Sequence, residues 1–301
     1  MNSKTVLITG CSSGFGKQSA KLFQSKGWNV VATMRSPEKE ADLGELENTL
    51  LCRLDVTDPQ SIKEVVDKSL DAFGRIDVLV NNAGISGVGV FEQWDEDSIH
   101  GLFDTNVFGL MRVTKAVLPV MRRQREGTII NISSLAALIA SPFASVYSSA
   151  KFAVEGLTEA LALEYAPFNI SVKAIAPGSY ETSLYTSMDE GILANGDDQI
   201  RAYSAKLATK MNDNVTQMAQ QGGETSDPRE VAEKVYECAT EDRPIHNVCG
   251  RDAESFLQMK KSLSSQTSWC RKTRNSVETR QSTDGVHQHQ KLWSPELKYL
   301  P

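Results

Sequence analysis

The strongest evidence for the fold in this sequence is the stretch TVLITGCSSGFGK, residues 5–17. An apolar, β-branched run ends in a turn with glycines at positions 10, 14 and 16, and a helical pattern follows at once. Residues without side chains are needed where backbone N–H groups at a helix N-terminus approach a phosphate group. At the end of a first strand, Gly10, Gly14 and Gly16 therefore favour a nucleotide-binding turn over a merely tight turn.

The rest of the chain alternates between strand-like and helical patterns. Strands are predicted over residues 5–10, 29–34, 50–56, 76–83, 127–133, 170–177 and 245–250. Apolar residues three to four positions apart predict helices over residues 14–26, 59–72, 97–124, 147–166 and 228–240. Near-continuous apolar strands followed by helices indicate a parallel sheet covered on both faces. We therefore predict an α/β protein with a doubly wound parallel sheet of about seven strands, a Rossmann fold.

Two segments interrupt this alternation. Residues 183–226 form a long polar insertion, and such insertions are commonly substrate-binding lids, although a plain surface excursion is the alternative. A helix is predicted within it near residues 211–218. Residues 264–301 are rich in Ser, Thr, Gln and Arg without periodicity, so we expect a disordered tail. Residues 1–263 are predicted to form a single domain.

The composition excludes several classes of protein. A net charge of -6 over 301 residues argues against non-specific nucleic-acid binding. Five scattered cysteines without a C-x-x-C pair are typical of reduced thiols, and no metal site is predicted. The first apolar run begins by residue 5, which leaves no room for a signal peptide. No apolar run approaches the roughly 20 residues that span a bilayer. We expect a cytoplasmic protein with no membrane span.

The end of the second predicted strand discriminates between two cofactors. An acid about 20 residues after the glycines binds the ribose 2′-OH of NAD, whereas an arginine accommodates the 2′-phosphate of NADP. Here Met34 stands where the acid is expected, and Arg35 follows it. A guanidinium can pair with a phosphate through two hydrogen bonds, and Ser12 or Ser13 could add a hydroxyl donor. We predict NADP(H) in preference to NAD(H), although a single arginine is also common as an ordinary surface residue.

The stretch YSSAK, residues 147–151, places Tyr147 and Lys151 on one face of a predicted helix. A phenol with a pKa of about 10 is a poor base at neutral pH, and a neighbouring ammonium lowers that pKa. Such a tyrosine can donate a proton to a carbonyl oxygen or remove one from an alcohol. The spacing alone occurs by chance in many chains, so it does not decide the chemistry.

A series of motifs resembles the classical short-chain dehydrogenase/reductase family over roughly residues 4–260. In chain order the motifs are TGCSSGFG, Asp55, NNAG (81–84), Asn106, ISS (132–134), YSSAK and PGSYET (177–182). Seven motifs in the family's order, with the expected elements between them, make the resemblance specific. ATMR after the second strand and SPFASVYSSAK around the tyrosine resemble the estradiol and retinol dehydrogenase branch.

This resemblance implies four catalytic residues, namely Asn106, Ser134, Tyr147 and Lys151. The Ser134 hydroxyl would hydrogen-bond the substrate oxygen, and the family spacing selects it over Ser133. The backbone carbonyl of Asn106 would support a proton-relay water. Lys151 would also hold the ribose of the nicotinamide half of the cofactor.

The resemblance also implies which residues contact the cofactor. Asp55 would accept a hydrogen bond from the adenine amino group, and Thr182 would bind the carboxamide. Asn81 resembles an asparagine that bridges strands of the family's sheet. The full predicted cofactor set is Gly10, Ser12, Ser13, Gly14, Phe15, Gly16, Arg35, Asp55, Val56, Asn82, Ala83, Gly84, Tyr147, Lys151, Pro177, Gly178 and Thr182.

We therefore expect an NADP(H)-dependent oxidoreductase that interconverts a carbonyl and a secondary or primary alcohol by hydride transfer, with Tyr147 as general acid/base. An apolar ketone or aldehyde is the expected small-molecule substrate, because the predicted pocket walls are apolar: Leu135, Phe143, Val146, Leu184, Tyr185 and Met188. The alternatives are a polar substrate, such as a sugar or an acyl thioester, and a non-catalytic NADP(H)-binding sensor or scaffold. The resemblance implies a homodimer or homotetramer formed through helices 97–124 and 147–167.

Overall fold

A computed structural model describes residues 3–180, 190–220 and 227–262. Seven strands of these residues form one sheet in the order β3-β2-β1-β4-β5-β6-β7, and every neighbouring pair is parallel. The strands are β1 (Thr5–Ile8), β2 (Asn29–Met34), β3 (Thr49–Arg53), β4 (Val78–Asn81), β5 (Gly127–Ile132), β6 (Ile170–Pro177) and β7 (His246–Cys249). The predicted doubly wound sheet is confirmed.

Helices follow the strands and cover both faces of the sheet. They are α1 (Gly14–Ser25), α2 (Pro59–Phe73), α3 (Glu96–Phe103), α4 (Leu110–Gln124), α5 (Ser145–Tyr165), α6 (Glu190–Ala194), α7 (Asp198–Gln220), α8 (Pro228–Thr240) and α9 (Arg251–Ser262). Side chains of α1 and α8 enter the core on one face, and those of α2, α4 and α5 pack on the other.

The two cores explain why the strands have near-continuous apolar sequences. In β1, Val6 and Ile8 lie in the core beneath α1 and α8, whereas Leu7 lies in the core beneath α2 and α4. All three side chains are completely buried. A strand covered on both faces has no solvent side, so it needs no alternation of polar and apolar residues.

Local signals set the ends of α2 close to their predicted positions. The Asp58 carboxylate accepts a hydrogen bond of 3.0 Å from the backbone N–H of Gln60, and Pro59 occupies the first helical turn. At the other end, Gly74 adopts a left-handed conformation with φ 74° and donates its N–H to the Leu70 carbonyl at 2.8 Å. Glycine takes this conformation without steric cost.

The helix predicted over residues 97–124 is present over residues 96–124, but it contains a π-helical turn that was not predicted. The structure has α3, then a π-helical turn at Asp104–Gly109, and then α4. An added Cβ on Gly109 would lie 2.6 Å from Cγ2 of Val56, so glycine lets this turn approach the segment after β3 closely. Apolar periodicity does not reveal such a turn, because the apolar stripe continues through it.

Other boundaries differ from the predictions by a few residues. Strands β1, β3 and β4 end two or three residues earlier than predicted, because the chain turns there into loops at the carboxyl edge. Helix α7 includes the helix predicted near residues 211–218, whereas α9 was not predicted. Residues 181–189, 221–226 and 263–301 lie outside the described part, so the two ends of the predicted insertion and the whole predicted tail stay predictions.

Within the described ranges, no helix combines the length and the apolar character needed to cross a membrane. The cytoplasmic location stays a prediction from the sequence. The cysteines of the described residues, Cys11, Cys52, Cys238 and Cys249, are buried and form no disulfide.

Candidate active site

The predicted site lies at the carboxyl edge of the sheet, where the strand order reverses between β1 and β4. Here the Asn82 amide Nδ2 donates to the backbone carbonyls of Thr9 at 2.8 Å and Gly10 at 3.0 Å. In return, Thr9 Oγ1 accepts the backbone N–H groups of Asn82 and Ala83, each at 2.9 Å. These bonds hold the loop after β4 against the glycine turn, at the position where doubly wound sheets bind nucleotides.

The glycine turn leaves space that any side chain would fill. Gly10 and Gly14 have φ values of +73° and +53°, which side chains disfavour. An added Cβ on Gly16 would overlap the Gly10 carbonyl oxygen and lie 2.5 Å from Nδ2 of Asn82. The first turn of α1 carries no acidic residue, so its N–H groups present an unopposed positive end. This geometry fits the pyrophosphate of a dinucleotide.

Arg35 and Asp55 lie at the ends of β2 and β3, on the adenosine side of such a turn. Arg35 is exposed and has no salt bridge to any residue that the structure describes. Asp55 Oδ1 accepts two hydrogen bonds from Thr57, one from the backbone N–H at 2.9 Å and one from the hydroxyl at 2.7 Å. Burial raises the pKa of Asp55, but the bonds from Thr57 and the charges of Arg35 and Arg53 outweigh it and lower that pKa.

Lys151 of α5 lies close to Tyr147 and to the carboxyl end of β5, which Ser134 follows by two residues. The Lys151 Nζ lies 5.7 Å from the centroid of the Tyr147 ring and donates a hydrogen bond of 2.9 Å to the Ile132 carbonyl. Ser134 follows Ile132 by two residues. Its Oγ accepts the N–H of Ala136 at 3.1 Å, which leaves the hydroxyl proton of Ser134 for another acceptor.

The choice of Ser134 over Ser133 agrees with their burial. Ser133 is 3% exposed and its hydroxyl is enclosed, whereas Ser134 is partly accessible. A substrate oxygen can therefore approach only the second hydroxyl of this pair. Their opposite orientation follows from the alternation of side chains along extended backbone.

Burial makes the charge of Lys151 sensitive to pH. The side chain is 7% exposed, and desolvation lowers its pKa from the ordinary value near 10.5 to about 8, with the nearby Glu155 charge acting in the opposite direction. Lys151 is thus an ammonium below about pH 8 and loses its charge above it. An ammonium beside a phenol favours the phenolate form of that phenol.

Asn106 lies inside the π-helical turn and is almost completely buried. Its Oδ1 accepts the backbone N–H of Ile85 and its Nδ2 donates to the Ile85 carbonyl, each at 2.8 Å. Gly84 fits against this amide, since an added Cβ would lie 3.2 Å from Asn106 Oδ1. Because a π-helical turn shifts the backbone hydrogen bonds, it can leave a carbonyl without its usual helical partner.

A buried chain of side chains fixes α4 and α5 relative to β5. The Asn81 Nδ2 donates to Thr114 Oγ1 on α4 and to Asn131 Oδ1 on β5, each at 2.9 Å. The Asn131 Nδ2 donates to Thr158 Oγ1 on α5 at 2.8 Å. This bridging role matches the expectation for Asn81, and it sets the position of the helix that carries Tyr147.

The predicted nicotinamide end is only partly described. Gly178 donates its N–H to the Cys249 carbonyl at 2.8 Å, directly after Pro177. Phe15 of the glycine turn packs edge-on against Tyr180, with ring centroids 5.3 Å apart, so the two loops touch. Val56 is buried beside the π-helical turn. Thr182 lies outside the described residues.

The sequence did not indicate two supporting residues, Thr9 and Asp252. Thr9 carries the hydroxyl that anchors the loop after β4, and a polar residue at the end of an apolar strand was the available signal. The Asp252 carboxylate accepts the N–H of Ser179 at 2.7 Å and so holds the loop after β6. Nothing in the local sequence connects Asp252 with Ser179, because the two residues come together only in the fold.

The fold and this edge define a class of protein: an α/β oxidoreductase that binds a nicotinamide dinucleotide. The sequence model described as short chain dehydrogenase matches residues 4–192. The chain therefore belongs to the short-chain dehydrogenase/reductase family, whose members act on CH–OH groups with NAD(P). The resemblance stated from the motifs is confirmed.

Individual relatives agree with this membership. The chain is 40% identical over 250 residues to an uncharacterized oxidoreductase, YusZ, of Bacillus subtilis, covering 80% of this chain and 86% of that protein. It is 43% identical over 188 residues to human retinol dehydrogenase 8, covering 60% of each chain. A solved structure of ElxO with NADP bound is 33% identical, with a TM-score of 0.67, covering 82% of this chain and 96% of the other.

The close packing around Gly16 can be tested by adding one methyl group at this position. We expect Gly16→Ala to lower the free energy of unfolding by about 1–3 kcal/mol, because the backbone around Gly10 and Asn82 must shift. The same shift should weaken binding of either nicotinamide cofactor. Thermal unfolding and cofactor titration measure both effects. Gly44→Ala is the matched control, since its Cβ would meet neighbours at ordinary distances of 3.7 Å or more. Unchanged stability and binding in Gly16→Ala would contradict the tight turn.

Proposed function

We propose that this protein is an NADP(H)-dependent oxidoreductase that interconverts an apolar ketone or aldehyde and the corresponding alcohol. The observation that carries the proposal is the position of Lys151, whose Nζ lies 5.7 Å from the centroid of the Tyr147 ring and donates to the carbonyl of Ile132, the last residue of β5 and two residues before Ser134. The bound nicotinamide supplies or accepts the hydride. The chain itself supplies polarisation, a proton and alignment.

In the direction of reduction, the hydroxyls of Ser134 and Tyr147 hydrogen-bond the substrate carbonyl oxygen. The Ser134 hydroxyl stabilises the negative charge that develops on this oxygen. Tyr147 then transfers its phenolic proton to the oxygen, which yields the alcohol and a phenolate. In the direction of oxidation the phenolate removes the same proton, so one residue serves both directions.

Lys151 and Asn106 support this proton transfer. The Lys151 ammonium lies close to the Tyr147 ring and lowers the cost of forming the phenolate. The π-helical turn at Asn106 supports the proposal that its backbone carbonyl holds a water, which relays a proton to Lys151 from solvent. The side-chain amide of Asn106 already forms two hydrogen bonds with the backbone of Ile85.

A preference for NADP(H) is supported by the charge at the ends of β2 and β3. Arg35 is exposed without a salt bridge among the described residues, so its guanidinium is available for a 2′-phosphate. Met34, where an acid would bind the 2′-OH of NAD, is 3% exposed and belongs to the core. The relative ElxO binds NADP in its solved structure.

An apolar substrate is supported by apolar residues next to the proposed catalytic side chains and by one relative. Phe143 and Val146 are buried next to the start of α5, and Leu135 follows Ser134 directly. The other predicted wall residues, Leu184, Tyr185 and Met188, lie outside the described residues. The similarity to human retinol dehydrogenase 8 agrees with an apolar alcohol or aldehyde. A sugar or an acyl thioester is the competing substrate class.

The catalytic role of Tyr147 is tested by removing one oxygen atom. We expect Tyr147→Phe to reduce turnover by about 10²–10⁴-fold, since it removes the proton donor, while NADPH binding stays nearly unchanged. NADPH oxidation with ketones, aldehydes, quinones and steroids measures turnover, and a fluorescence titration measures binding. If the variant keeps its turnover, the mechanism is wrong. If the unmodified protein binds NADPH but turns over nothing in the panel, a polar substrate or the sensor function is favoured.

The role of Arg35 is tested by comparing the two cofactors in one variant. We expect Arg35→Ala to weaken NADPH binding by about 10–100-fold, which corresponds to the loss of a hydrogen bond between charged groups. NADH binding should change little, because NADH has no 2′-phosphate. Arg53→Ala, which removes a neighbouring exposed charge, is the control. Equal losses of NADPH and NADH affinity would exclude the phosphate contact.

We also propose a homodimer or homotetramer in which α4 and α5 pack on a second copy of the chain. Large apolar side chains on and beside these helices are exposed, and Leu163 on α5 is 71% exposed. The others are Phe108, Met111 and Phe152. A second copy would remove this apolar surface from water, which is favourable in free energy.

This assembly predicts that Leu163→Glu shifts the protein toward the monomer. A carboxylate in an apolar interface must lose its hydration without a partner, which disfavours association. Sedimentation velocity over a range of concentrations measures the mass. Tyr203→Glu, at another exposed apolar side chain on α7, should leave the mass unchanged. A wild-type monomer at all concentrations would exclude the proposed assembly.

A further inference from the structure

We propose that Glu155, which lies outside the predicted catalytic set, is a positioning residue that keeps Lys151 protonated during the reaction. The inference rests on the proposed function, because Lys151 belongs to that site. It adds a carboxylate on α5 that touches neither substrate nor cofactor and acts through the lysine.

The geometry places Glu155 one helical turn beyond Lys151 on the same face of α5. Glu155 is 9% exposed and Lys151 is 7% exposed, so both groups are directed into the protein. A carboxylate at this depth loses most of its hydration and needs a partner that replaces it. An acid required only for solubility would stand on the exposed side of the helix, as Glu159 does.

The Glu155 carboxylate is held from the opposite side by β7. Nδ1 of His246 lies 2.6 Å from Oε2 of Glu155, the distance of a strong hydrogen bond. His246 is paired with Ala174 across the sheet, so its position is set by the β6–β7 register. The carboxylate is thus held by a strand, one helical turn from Lys151 on its own helix.

The neighbouring charges determine the direction in which Glu155 changes the pKa of Lys151. Burial lowers the pKa of Lys151, and the negative charge of Glu155 raises it again. Lys173 of β6 faces α8 on the opposite side of the sheet, where its Nζ donates to the carbonyls of Cys238 and Glu241, each at 2.8 Å. Without the Glu155 charge, Lys151 would lose its proton at a lower pH, and the phenolate of Tyr147 would lose its nearest ammonium.

The experiment compares Glu155→Gln with Glu159→Gln, which removes the same charge from the exposed side of α5. Trace acetylation of Lys151 with acetic anhydride at a series of pH values, read by mass spectrometry, gives the midpoint of its titration without any turnover. We expect this midpoint to fall by about one pH unit in Glu155→Gln. The alkaline limit of kcat/KM for carbonyl reduction should fall by the same amount, while activity near pH 6 stays close to wild type. Glu159→Gln should change neither.

Two results would overturn the proposal. One is an unchanged Lys151 midpoint in Glu155→Gln, and the other is a loss of kcat/KM that is equal at all pH values, as a structural role would give. Glu155→Asp keeps the charge and should give a midpoint between those of wild type and Glu155→Gln; it carries the test if the Gln variant does not fold. Because acetylation needs no substrate, turnover by Tyr147→Phe would refute the proposed function and leave this test intact.

Discussion

The amide of Asn82 joins the loops that follow the paired strands β1 and β4, and the candidate site depends on this contact. The strand order reverses at this pair, which is where doubly wound sheets form a crevice at their carboxyl edge. Two hydrogen bonds from one side chain to the carbonyls of Thr9 and Gly10 hold the glycine turn open toward solvent. The missing side chain at Gly16 allows the amide to reach that position. A loop that lacked this support would have to be ordered by the ligand, at a cost in binding free energy.

Local chemistry explains which elements the sequence predicts well. The bounds of β2, β6 and α8 agree with the prediction, because apolar runs and a Pro at the helix start mark them. The π-helical turn at Asp104–Gly109 has no such mark, since its extra residue changes the backbone hydrogen bonds without interrupting the apolar pattern. Strands β1, β3 and β4 were predicted two or three residues too long, because the sequence does not mark the residue at which each strand leaves the sheet for the loop that follows it.

The contacts of the candidate site also divide into those that the sequence predicts and those that it does not. Tyr147 and Lys151 are four residues apart on one helix, so their contact is local and could be predicted. Glu155 meets His246 from a strand that follows much later in the chain, and only the β6–β7 register brings them together. Burial also changes the chemistry of a predicted residue, because the sequence indicates an ordinary ammonium at Lys151 and desolvation in the fold lowers its pKa to about 8. Contacts of this kind require the folded structure.

The order of the strands has a consequence for synthesis on the ribosome. β2 and β3 extend the sheet on one side of β1, and β4 then pairs with the free side of β1. From β5 onward, each new strand pairs with the strand synthesised just before it. The nascent chain therefore exposes an unpaired edge of its central strand until residues 78–81 have emerged. Exposed edges of apolar strands are templates for association between chains. Until β4 has emerged, association with another chain competes with the pairing of β4 to β1.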